Sequence, residues 1–304
     1  MIPLVYHASY SQLALPKQHR FPQTKYQYLQ QYLLSQGIAE PHQFLAPKAL
    51  DPQVLSQYHA PDYVEQVLTL QLANSLTKRI GFPQTKAIVD RSCYSVAGTI
   101  LATQQALQHG IAIQLSGGYH HAHYDFGSGY CIFNDLIVAA KEINQQYDYK
   151  VLIFDCDVHQ GDGTAAMAQD NEQIITCSVH CQSNFPARKQ VSDHDIGLED
   201  GLGDDAYVQT IDAVFRYLVQ LHRPDMVIYD AGVDIHQQDD LGRLSVSTAG
   251  ILARDIAVLN IAKKQQIPIA CVIGGGYSKD PLELSVRHSQ LFIAANQIWL
   301  QTES

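Results

Sequence analysis

The sequence has little charge, no long apolar run and no region of low complexity. Only 16% of its 304 residues are charged and 46% are hydrophobic. This composition excludes a disordered or fibrous chain and indicates a globular protein with a large core. No apolar run approaches the ~18 residues that a membrane-spanning helix needs, and residues 1–7 lack the basic and apolar parts of a signal peptide. We therefore expect a cytoplasmic protein with no membrane partner.

A cluster of basic residues is also missing. The 20 lysines and arginines are outnumbered by 30 aspartates and glutamates, which gives a formal net charge of -10. Binding to a phosphate backbone depends on several neighbouring Lys or Arg side chains, so direct nucleic-acid binding is not expected. The acidic balance would instead favour cationic substrates in general.

Paired cysteines are absent as well. The six cysteines are Cys93, Cys131, Cys156, Cys177, Cys181 and Cys271. They are scattered without a C-x-x-C motif, and three of them lie in apolar runs typical of strands. This pattern predicts buried free thiols rather than disulfides or a cysteine zinc site.

Short β-branched runs alternate with longer segments of helical spacing. The predicted strands cover residues 111–115, 151–154, 174–179, 226–229 and 269–273. The predicted helices cover residues 94–109, 134–146, 205–221, 248–265 and 282–300. Such alternation predicts an α/β fold with one open parallel sheet and helices on both of its faces.

No linker or internal repeat divides the chain. We expect one domain over residues 1–304, with residues 1–80 forming helices and loops packed on it. The glycines that follow the strands do not form the G-x-G-x-x-G motif of dinucleotide binding. Open parallel sheets bind ligands beyond the carboxyl ends of their strands, so the residues directly after each predicted strand are the candidates for a functional site.

Three potential metal ligands follow two of these strands. Asp157 and His159 come after the strand at 151–154, and side chains two apart in an extended segment project to the same side, so they can share one ion. Asp234 follows the strand at 226–229 and offers a third ligand. Each aspartate taken alone would also fit a turn or helix cap. Together, two carboxylates and one imidazole leave a fourth position open, as catalytic zinc requires.

A pair of histidines follows the strand at 111–115, in the run Gly-Gly-Tyr-His-His-Ala at 117–122. A lone histidine is more often structural than catalytic. Beside a metal site, one of His120 and His121 can take a proton from the attacking water, while the other orients that water or protonates the leaving amine. Asp155 and Asp162 are the spare acids that would hold the two imidazoles.

A tyrosine on a glycine run follows the strand at 269–273, in Gly-Gly-Gly-Tyr at 274–277. Flexible glycines would let the Tyr277 hydroxyl approach an oxygen on which negative charge develops. Taken alone, the segment is also compatible with a turn whose tyrosine merely packs.

Taken in order, these motifs resemble those of the histone deacetylase superfamily. The match comprises the segments 117–122, 129–135, 155–163, 231–234 and 274–277, and it covers roughly residues 81–291. The segments 184–186, 192–193 and 240–244 are similar to the class IV branch and its bacterial relatives. The resemblance implies the arginase/deacetylase-like α/β fold. It also implies a zinc-dependent hydrolase that removes an acyl group from the ε-amine of lysine or from a lysine-like amine.

The resemblance also implies roles for individual residues. The zinc ligands would be Asp157, His159 and Asp234, with ferrous iron as the alternative ion. The acid/base pair would be His120 and His121 backed by Asp155 and Asp162, with Tyr277 as oxyanion donor. The acyl-lysine tunnel would be lined by Gly129, Tyr130, Phe185 and Gly275. A structural potassium ion would lie near Asp155, Asp157, His159, Ser178 and Val179. The substrate would be an acyl-lysine protein or peptide, or a small acylated amine.

Two positions need separate mention. Tyr130 stands where the family usually has phenylalanine, which adds a hydroxyl to the tunnel. Many relatives grip the substrate backbone with a carboxylate at the rim, and Asp90 is the candidate for that role.

Three other functions are compatible with parts of the pattern. An amidohydrolase acting on acetylated polyamines or other small acyl amides would use the same site. A ureohydrolase of the arginase type shares the fold but needs two manganese ions, and Asp234 is followed by Ile-His-Gln-Gln-Asp rather than by a close further aspartate. A non-catalytic acyl-lysine-binding protein would not need His120, His121 and Tyr277 together.

Overall fold

The computed structural model describes residues 1–16 and 18–300. The strands within these residues form one eight-stranded sheet. The strands are β1 (Leu4–Val5), β2 (Phe44–Leu45), β3 (Ile111–Gln114), β4 (Val151–Asp155), β5 (Ile174–Cys181), β6 (His194–Leu198), β7 (Met226–Asp230) and β8 (Ile269–Val272). They lie in the order β2-β1-β3-β8-β7-β4-β5-β6, and every neighbouring pair is parallel. The predicted open parallel sheet is therefore confirmed.

Helices cover both faces of this sheet. Within the described residues they are α1 (Lys25–Ser35), α2 (Pro52–Tyr58), α3 (Pro61–Leu68), α4 (Asn74–Ile80), α5 (Lys86–His109), α6 (Asp135–Tyr147), α7 (Asp162–Ala168), α8 (Asp204–His222), α9 (Thr248–Lys264) and α10 (Pro281–Trp299). Side chains of a strand alternate between its two faces. In β4, Leu152 and Phe154 belong to a core that includes α8 and α9, whereas Val151 and Ile153 belong to a second core that includes α6.

Side-chain caps explain where several helices begin. The side chain of Thr85 accepts a hydrogen bond from the backbone N–H of Ile88 at the start of α5, and Asn134 and Ser247 do the same for α6 and α9. Each cap satisfies an amide that has no partner inside the helix, which is worth about 1 kcal/mol. The Asn134 amide also donates to the carbonyl of Ala122 at 3.1 Å. The cap of α6 thereby holds the segment that carries the histidine pair.

The predicted elements are present, with some differences at their ends. The five predicted strands end within two residues of the observed ones, whereas the helix predicted over 94–109 begins earlier, at Lys86. The sequence reading missed β1, β2 and β6. β1 and β2 are only two residues long, and β6 is an edge strand with mostly exposed or half-buried side chains. None of the three therefore produces a strong apolar pattern. Residues 1–80 therefore contribute two strands as well as helices and loops.

The cysteines are free thiols, as expected. All are buried except Cys93, which is half-buried. Burial raises the pKa of the Cys177 and Cys271 thiols, which keeps them protonated and unreactive. In the described part of the chain, the helices are too short or too polar to cross a membrane.

The order of the strands decides where the sequence motifs meet. The strands β3, β8, β7 and β4 are consecutive neighbours in the sheet although they are far apart in the chain. Their carboxyl ends lead into the segments 117–122, 274–277, 230–234 and 155–163. Neighbouring parallel strands end at the same edge of a sheet, so these four segments converge at the middle of that edge.

Candidate active site

The three predicted metal ligands come together at the ends of β4 and β7. The Nδ1 atom of His159 lies 3.0 Å from an oxygen of Asp157 and 3.1 Å from an oxygen of Asp234. One ligand atom from each residue lies within 4.8 Å of the others, and all three side chains are buried. These separations suit three ligands around a single ion.

Backbone amides hold the two carboxylates in place. Asp234 Oδ1 accepts from the N–H of Val158 at 2.9 Å, and Asp157 Oδ2 accepts from the N–H of Gly275 at 2.8 Å. A Cβ atom at position 275 would collide with the carboxylates of both Asp157 and Asp234. Glycine is therefore required at 275 for the loop after β8 to lie directly against the cluster.

The charge of this cluster suits a cation. Burial alone lowers the pKa of His159, but hydrogen bonds and charge from Asp157 and Asp234 outweigh burial and raise it to about 10. A site that holds a proton this strongly attracts positive charge in general. Two carboxylates and one imidazole are ligands for which zinc and ferrous ions are suited.

Each member of the histidine pair is bonded to the predicted aspartate. His120 Nδ1 lies 2.7 Å from Asp155 Oδ2, and His121 Nδ1 lies 2.6 Å from Asp162 Oδ1. The two ring centroids are 4.1 Å apart. Because Nδ1 is engaged by the carboxylate, Nε2 of each ring points away from it, and Nε2 of His120 lies 3.8 Å from Asp157.

The two imidazoles have opposite electrostatic environments. Burial lowers the pKa of His120, but Asp155 and Asp157 outweigh burial and raise it well above its usual value. Burial and the neighbouring His120 lower the pKa of His121 to about 4, despite its bond to Asp162. At neutral pH, His120 is therefore the charged member and His121 the neutral member.

His123 is a third histidine at this site that the sequence reading missed. Its Nε2 lies 3.2 Å from the second oxygen of Asp162. Burial raises the pKa of Asp162, but hydrogen bonds with His121 and His123 outweigh burial and lower it. Asp162 is thus a fixed carboxylate shared by two imidazoles. The spacing of His121 and His123 at two residues was a signal that they can reach one partner.

Tyr277 is held through its backbone by another residue that the sequence reading missed. Asp239 Oδ2 accepts from the N–H of Tyr277 at 2.7 Å, while Oδ1 accepts from the N–H groups of Leu241 and Gly242 at 2.9 and 3.0 Å. Burial, with the charges of Asp157 and Asp234, raises the pKa of Tyr277 well above its usual value. The tyrosine is therefore a protonated hydroxyl that can donate a hydrogen bond.

Lys25 is a second missed residue near this loop. Its Nζ donates to the carbonyl of Gly274 at 2.9 Å, and burial lowers its pKa to about 8. Lys25 begins α1, far from the motifs in sequence. Only packing of the first helix against the glycine run brings it here, so no local pattern could have indicated it.

Asp230 is an unusual buried acid behind the site. It lies opposite Asp155 in the paired strands β7 and β4, and neither of its carboxylate oxygens has a hydrogen-bond partner within the described residues. Burial, with the charges of Asp155 and Asp157, raises its pKa well above its usual value. One ligand atom each from His120, Asp155 and Asp230 also lies within 4.8 Å of the others.

The site opens into a cavity of about 730 Å³. His121, His159 and Tyr277 line its inner part, and Gly129, Tyr130 and Phe185 line its sides. The ring of Phe185 meets the ring of His121 edge to face at 4.8 Å. Gly275 does not line this cavity. It contacts Asp157 and lines a separate small pocket to which Tyr277 also contributes. Three of the four predicted tunnel residues, Gly129, Tyr130 and Phe185, thus border one opening. The tunnel itself stays a prediction.

The predicted rim carboxylate is not at this opening. Asp90 lies on α5 in an ion pair with Lys86 at 2.7 Å and does not line the cavity. Lys86 and Asp90 are four residues apart on α5, so their side chains meet on one face of that helix. The cavity is bordered instead by four exposed cations, which we call the basic rim: Lys78, Arg79, Arg188 and Arg243. The local charge at the opening is therefore opposite to that expected from the acidic composition.

The residues predicted around potassium are adjacent. Asp155 and Ser178 are register partners in β4 and β5, and Val179 follows Ser178. The Ser178 hydroxyl lies 3.0 Å from Nδ1 of His180 and accepts weakly from the N–H of Gly161 at 3.4 Å. The potassium site itself stays a prediction.

The comparisons with known proteins agree with this geometry. The family model described as the histone deacetylase domain matches residues 19–292. An uncharacterized protein of Picosynechococcus sp. is 43% identical over 298 residues, which is 98% of this chain and 99% of that protein. Histone deacetylase 2 of Arabidopsis thaliana is 28% identical over 291 residues, covering 91% of this chain and 75% of that protein.

A solved structure has the same fold. The crystal structure of an HDAC homologue from Aquifex aeolicus superposes with a TM-score of 0.82, covering 100% of this chain and 85% of that one at 17% sequence identity. The α/β fold is thus of the arginase/deacetylase type. The chain belongs to the histone deacetylase family, which confirms the relationship predicted from its motifs.

Proposed function

We propose that this protein is a metal-dependent amide hydrolase that removes an acyl group from the ε-amine of lysine. The proposal is carried by one observation: a cavity is lined by His159 of the three-ligand cluster, by His121 of the histidine pair with its partner Asp162, and by Tyr277. Membership of the histone deacetylase family supports the same reaction class. A protein that only bound acyl-lysine would not need all three groups.

Asp157, His159 and Asp234 would hold the ion, which we propose to be zinc or ferrous iron. When bound, such an ion polarises the acyl carbonyl and lowers the pKa of the attacking water. The two carboxylates are already fixed by backbone N–H groups. Little rearrangement is therefore needed on ion binding.

His121 would act as the general base. It is neutral, its Nδ1 is fixed by Asp162, and it borders the cavity, so Nε2 is free to accept the proton of the attacking water. The same proton would later pass to the departing amine. The charged His120, held by Asp155, would orient the water and stabilise negative charge.

Tyr277 would supply the second donor to the acyl oxygen. Its pKa is raised, so the hydroxyl keeps its proton while negative charge builds on that oxygen. Its aromatic ring lies edge to face with His159, with centroids 6.4 Å apart. The ring of Tyr277 thereby lies beside the metal cluster.

The cavity would accept the lysine stem as an extended chain. Gly129 has no side chain, Tyr130 and Phe185 provide ring faces, and their combined surface suits a methylene chain. A small acylated polyamine has a similar stem and is the alternative substrate. A potassium ion beside Asp155, Asp157, His159, Ser178 and Val179 would serve to fix the loop that carries the ligands.

The direct test is reconstitution of the metal-free protein with one equivalent of zinc or ferrous iron. We expect hydrolysis of a neutral acetyl-lysine peptide to rise to a plateau at one equivalent. An acetylated polyamine of the same concentration serves as the competing substrate. No activity on either amide would contradict the proposal. A requirement for two manganese ions, the second at His120, Asp155 and Asp230, would favour ureohydrolase chemistry instead.

A further inference from the structure

The basic rim stands out against the composition of the chain. Acidic residues outnumber basic ones by 30 to 20, yet four cations border the cavity. Among the described residues that line it, the one carboxylate is Asp162, which is buried and bonded to His121 and His123. A peptide approaching the opening therefore meets positive charge from the side chains at its edge.

Packing holds part of this rim in place. The Arg79 guanidinium lies 3.8 Å from the centre of the Phe126 ring, a cation–π contact that holds it beside the cavity. Arg243 donates to the Ser183 hydroxyl at 3.1 Å and lies 3.7 Å from a carboxylate oxygen of Asp200. One of the four charges is thus partly compensated.

The other two cations are available to a ligand. Lys78 and Arg188 are exposed, and no carboxylate among residues 1–16 and 18–300 forms an ion pair with either of them. Lys78 lies in the last turn of α4, whereas Arg188 lies in the loop that carries Phe185. The two therefore come from separate segments that border the same cavity.

We propose that the basic rim selects acyl-lysine segments that carry aspartate or glutamate next to the modified lysine. The inference rests on the proposed deacylase function and names the substrate class of the same site. The acylated lysine side chain inside the tunnel is uncharged, so the basic rim has no charge on it to attract or repel. Only the residues that flank the modified lysine can carry such a charge. Those residues would remain outside the tunnel, on the side of the basic rim. Exposed charges interact over about 8–10 Å at physiological salt.

A carboxylate on the acyl chain is the other source of negative charge in a substrate. The acyl end of a substrate would face the buried ligand cluster of Asp157, His159 and Asp234 rather than the exposed cations of the basic rim. Flanking acidic residues meet the basic rim instead. The two sources are separated by comparing a succinyl-lysine peptide with neutral flanks to an acetyl-lysine peptide with acidic flanks.

The test uses acetyl-lysine peptides of one length with aspartate, alanine or lysine at the flanking positions. The metal-loaded enzyme is compared with the double variant Lys78→Gln/Arg188→Gln. The matched control is Lys264→Gln, which removes an exposed charge from the last turn of α9, outside the cavity lining. We measure kcat and KM separately, together with binding of labelled peptides by fluorescence anisotropy.

We expect kcat/KM to fall in the order acidic, neutral, basic flanks, by roughly threefold to tenfold from first to last and mainly through KM. The difference in kcat/KM among the three peptides should become smaller when the salt concentration is raised from about 0.05 to about 0.5 M. It should also narrow in the double variant but not in Lys264→Gln.

Equal kcat/KM for the three peptides, or preference for basic flanks, overturns the inference while leaving the deacylase function intact. A preference for succinyl-lysine over acidic flanks also overturns it. If none of the peptides is hydrolysed and none binds, the proposed function fails and the inference fails with it. A spread that persists unchanged in the double variant would show that these two cations do not select the substrate.

Discussion

The inner and outer ends of the cavity are built in opposite ways. The inner end, which we call the catalytic floor, consists of Asp157, His159, Asp234, His120, His121 and Tyr277. Its carboxylates and histidines are buried and bonded to fixed partners. The basic rim consists of exposed cations on a helix end and loops, and among the described residues only Arg243 of the four has an ion-pair partner.

This contrast separates two tasks. Groups at the ends of buried strands are held by backbone hydrogen bonds on several sides, which suits chemistry that tolerates little displacement. Exposed side chains on loops are less constrained and interact through charge at longer range. Changes in the floor should therefore affect turnover, whereas changes in the rim should affect the choice of substrate.

The largest effect is expected from the metal ligand Asp234. Asp234→Ala removes one of three protein ligands and leaves His159 with a single carboxylate neighbour, so bound metal and activity should both be lost. Metal content by atomic spectroscopy and peptide turnover measure this. Asp90→Asn changes a half-buried acid outside the cavity lining; it is the control and should retain both the bound metal and the activity. Full metal content in Asp234→Ala would remove Asp234 from the ligand set.

Variants of the histidine pair test whether His121 transfers the proton while His120 stabilises negative charge. His120→Ala and His121→Ala should each lose on the order of 10²-fold or more in kcat while keeping zinc. The loss should be greater for His121 because it is the neutral member that accepts the proton. Activity assays give kcat for each variant, and metal analysis of the same samples gives the bound zinc. If both variants retain turnover, the pair is structural.

Tyr277 tests whether one hydroxyl in the floor stabilises the oxyanion. Tyr277→Phe should keep the fold and the metal but lose on the order of 10²-fold in kcat with little change in KM. Tyr130→Phe also removes a tyrosine hydroxyl, from a ring whose centroid lies 6.2 Å from that of Tyr277. The kcat of this control should stay within about threefold of that of the unchanged enzyme. Equal losses in the two variants would mean that the Tyr277 hydroxyl has no special role.

Asp239 tests how strictly the floor must be held. In Asp239→Asn an amide group would face the N–H of Tyr277 in place of a carboxylate oxygen, so kcat should fall about tenfold with a smaller change in KM. The same substitution in a Tyr277→Phe background should cost little more, because both act through one hydroxyl. Asp240→Asn is the neighbouring control. Additive losses would show that Asp239 does not act through Tyr277.

Much of the floor could be predicted from the sequence for a physical reason. Asp157 and His159 are two residues apart in an extended segment, a spacing that places both side chains on one side whatever surrounds them. Each of the other motif residues directly follows an apolar strand, and the ends of parallel strands must share an edge. Such features depend only on local geometry and on the type of sheet.

Residues that act from outside the motifs could not be predicted in this way. Lys25 reaches Gly274 across 249 residues, and Asp239 reaches the N–H of Tyr277 across 38. Both contacts depend on how α1 and a surface loop pack against the glycine run. Asp90 was placed at the rim by resemblance, but its helical register pairs it with Lys86 instead.

The sequence by itself determined the strand and helix pattern and the types of group available for chemistry, because periodicity and residue spacing act over a few neighbouring residues. The tertiary structure decided which strands are neighbours, and thus which motifs meet. It also decided the sign of charge at the opening. Net charge sums over the whole surface, whereas the potential at one cavity depends on the few side chains that folding brings to its edge.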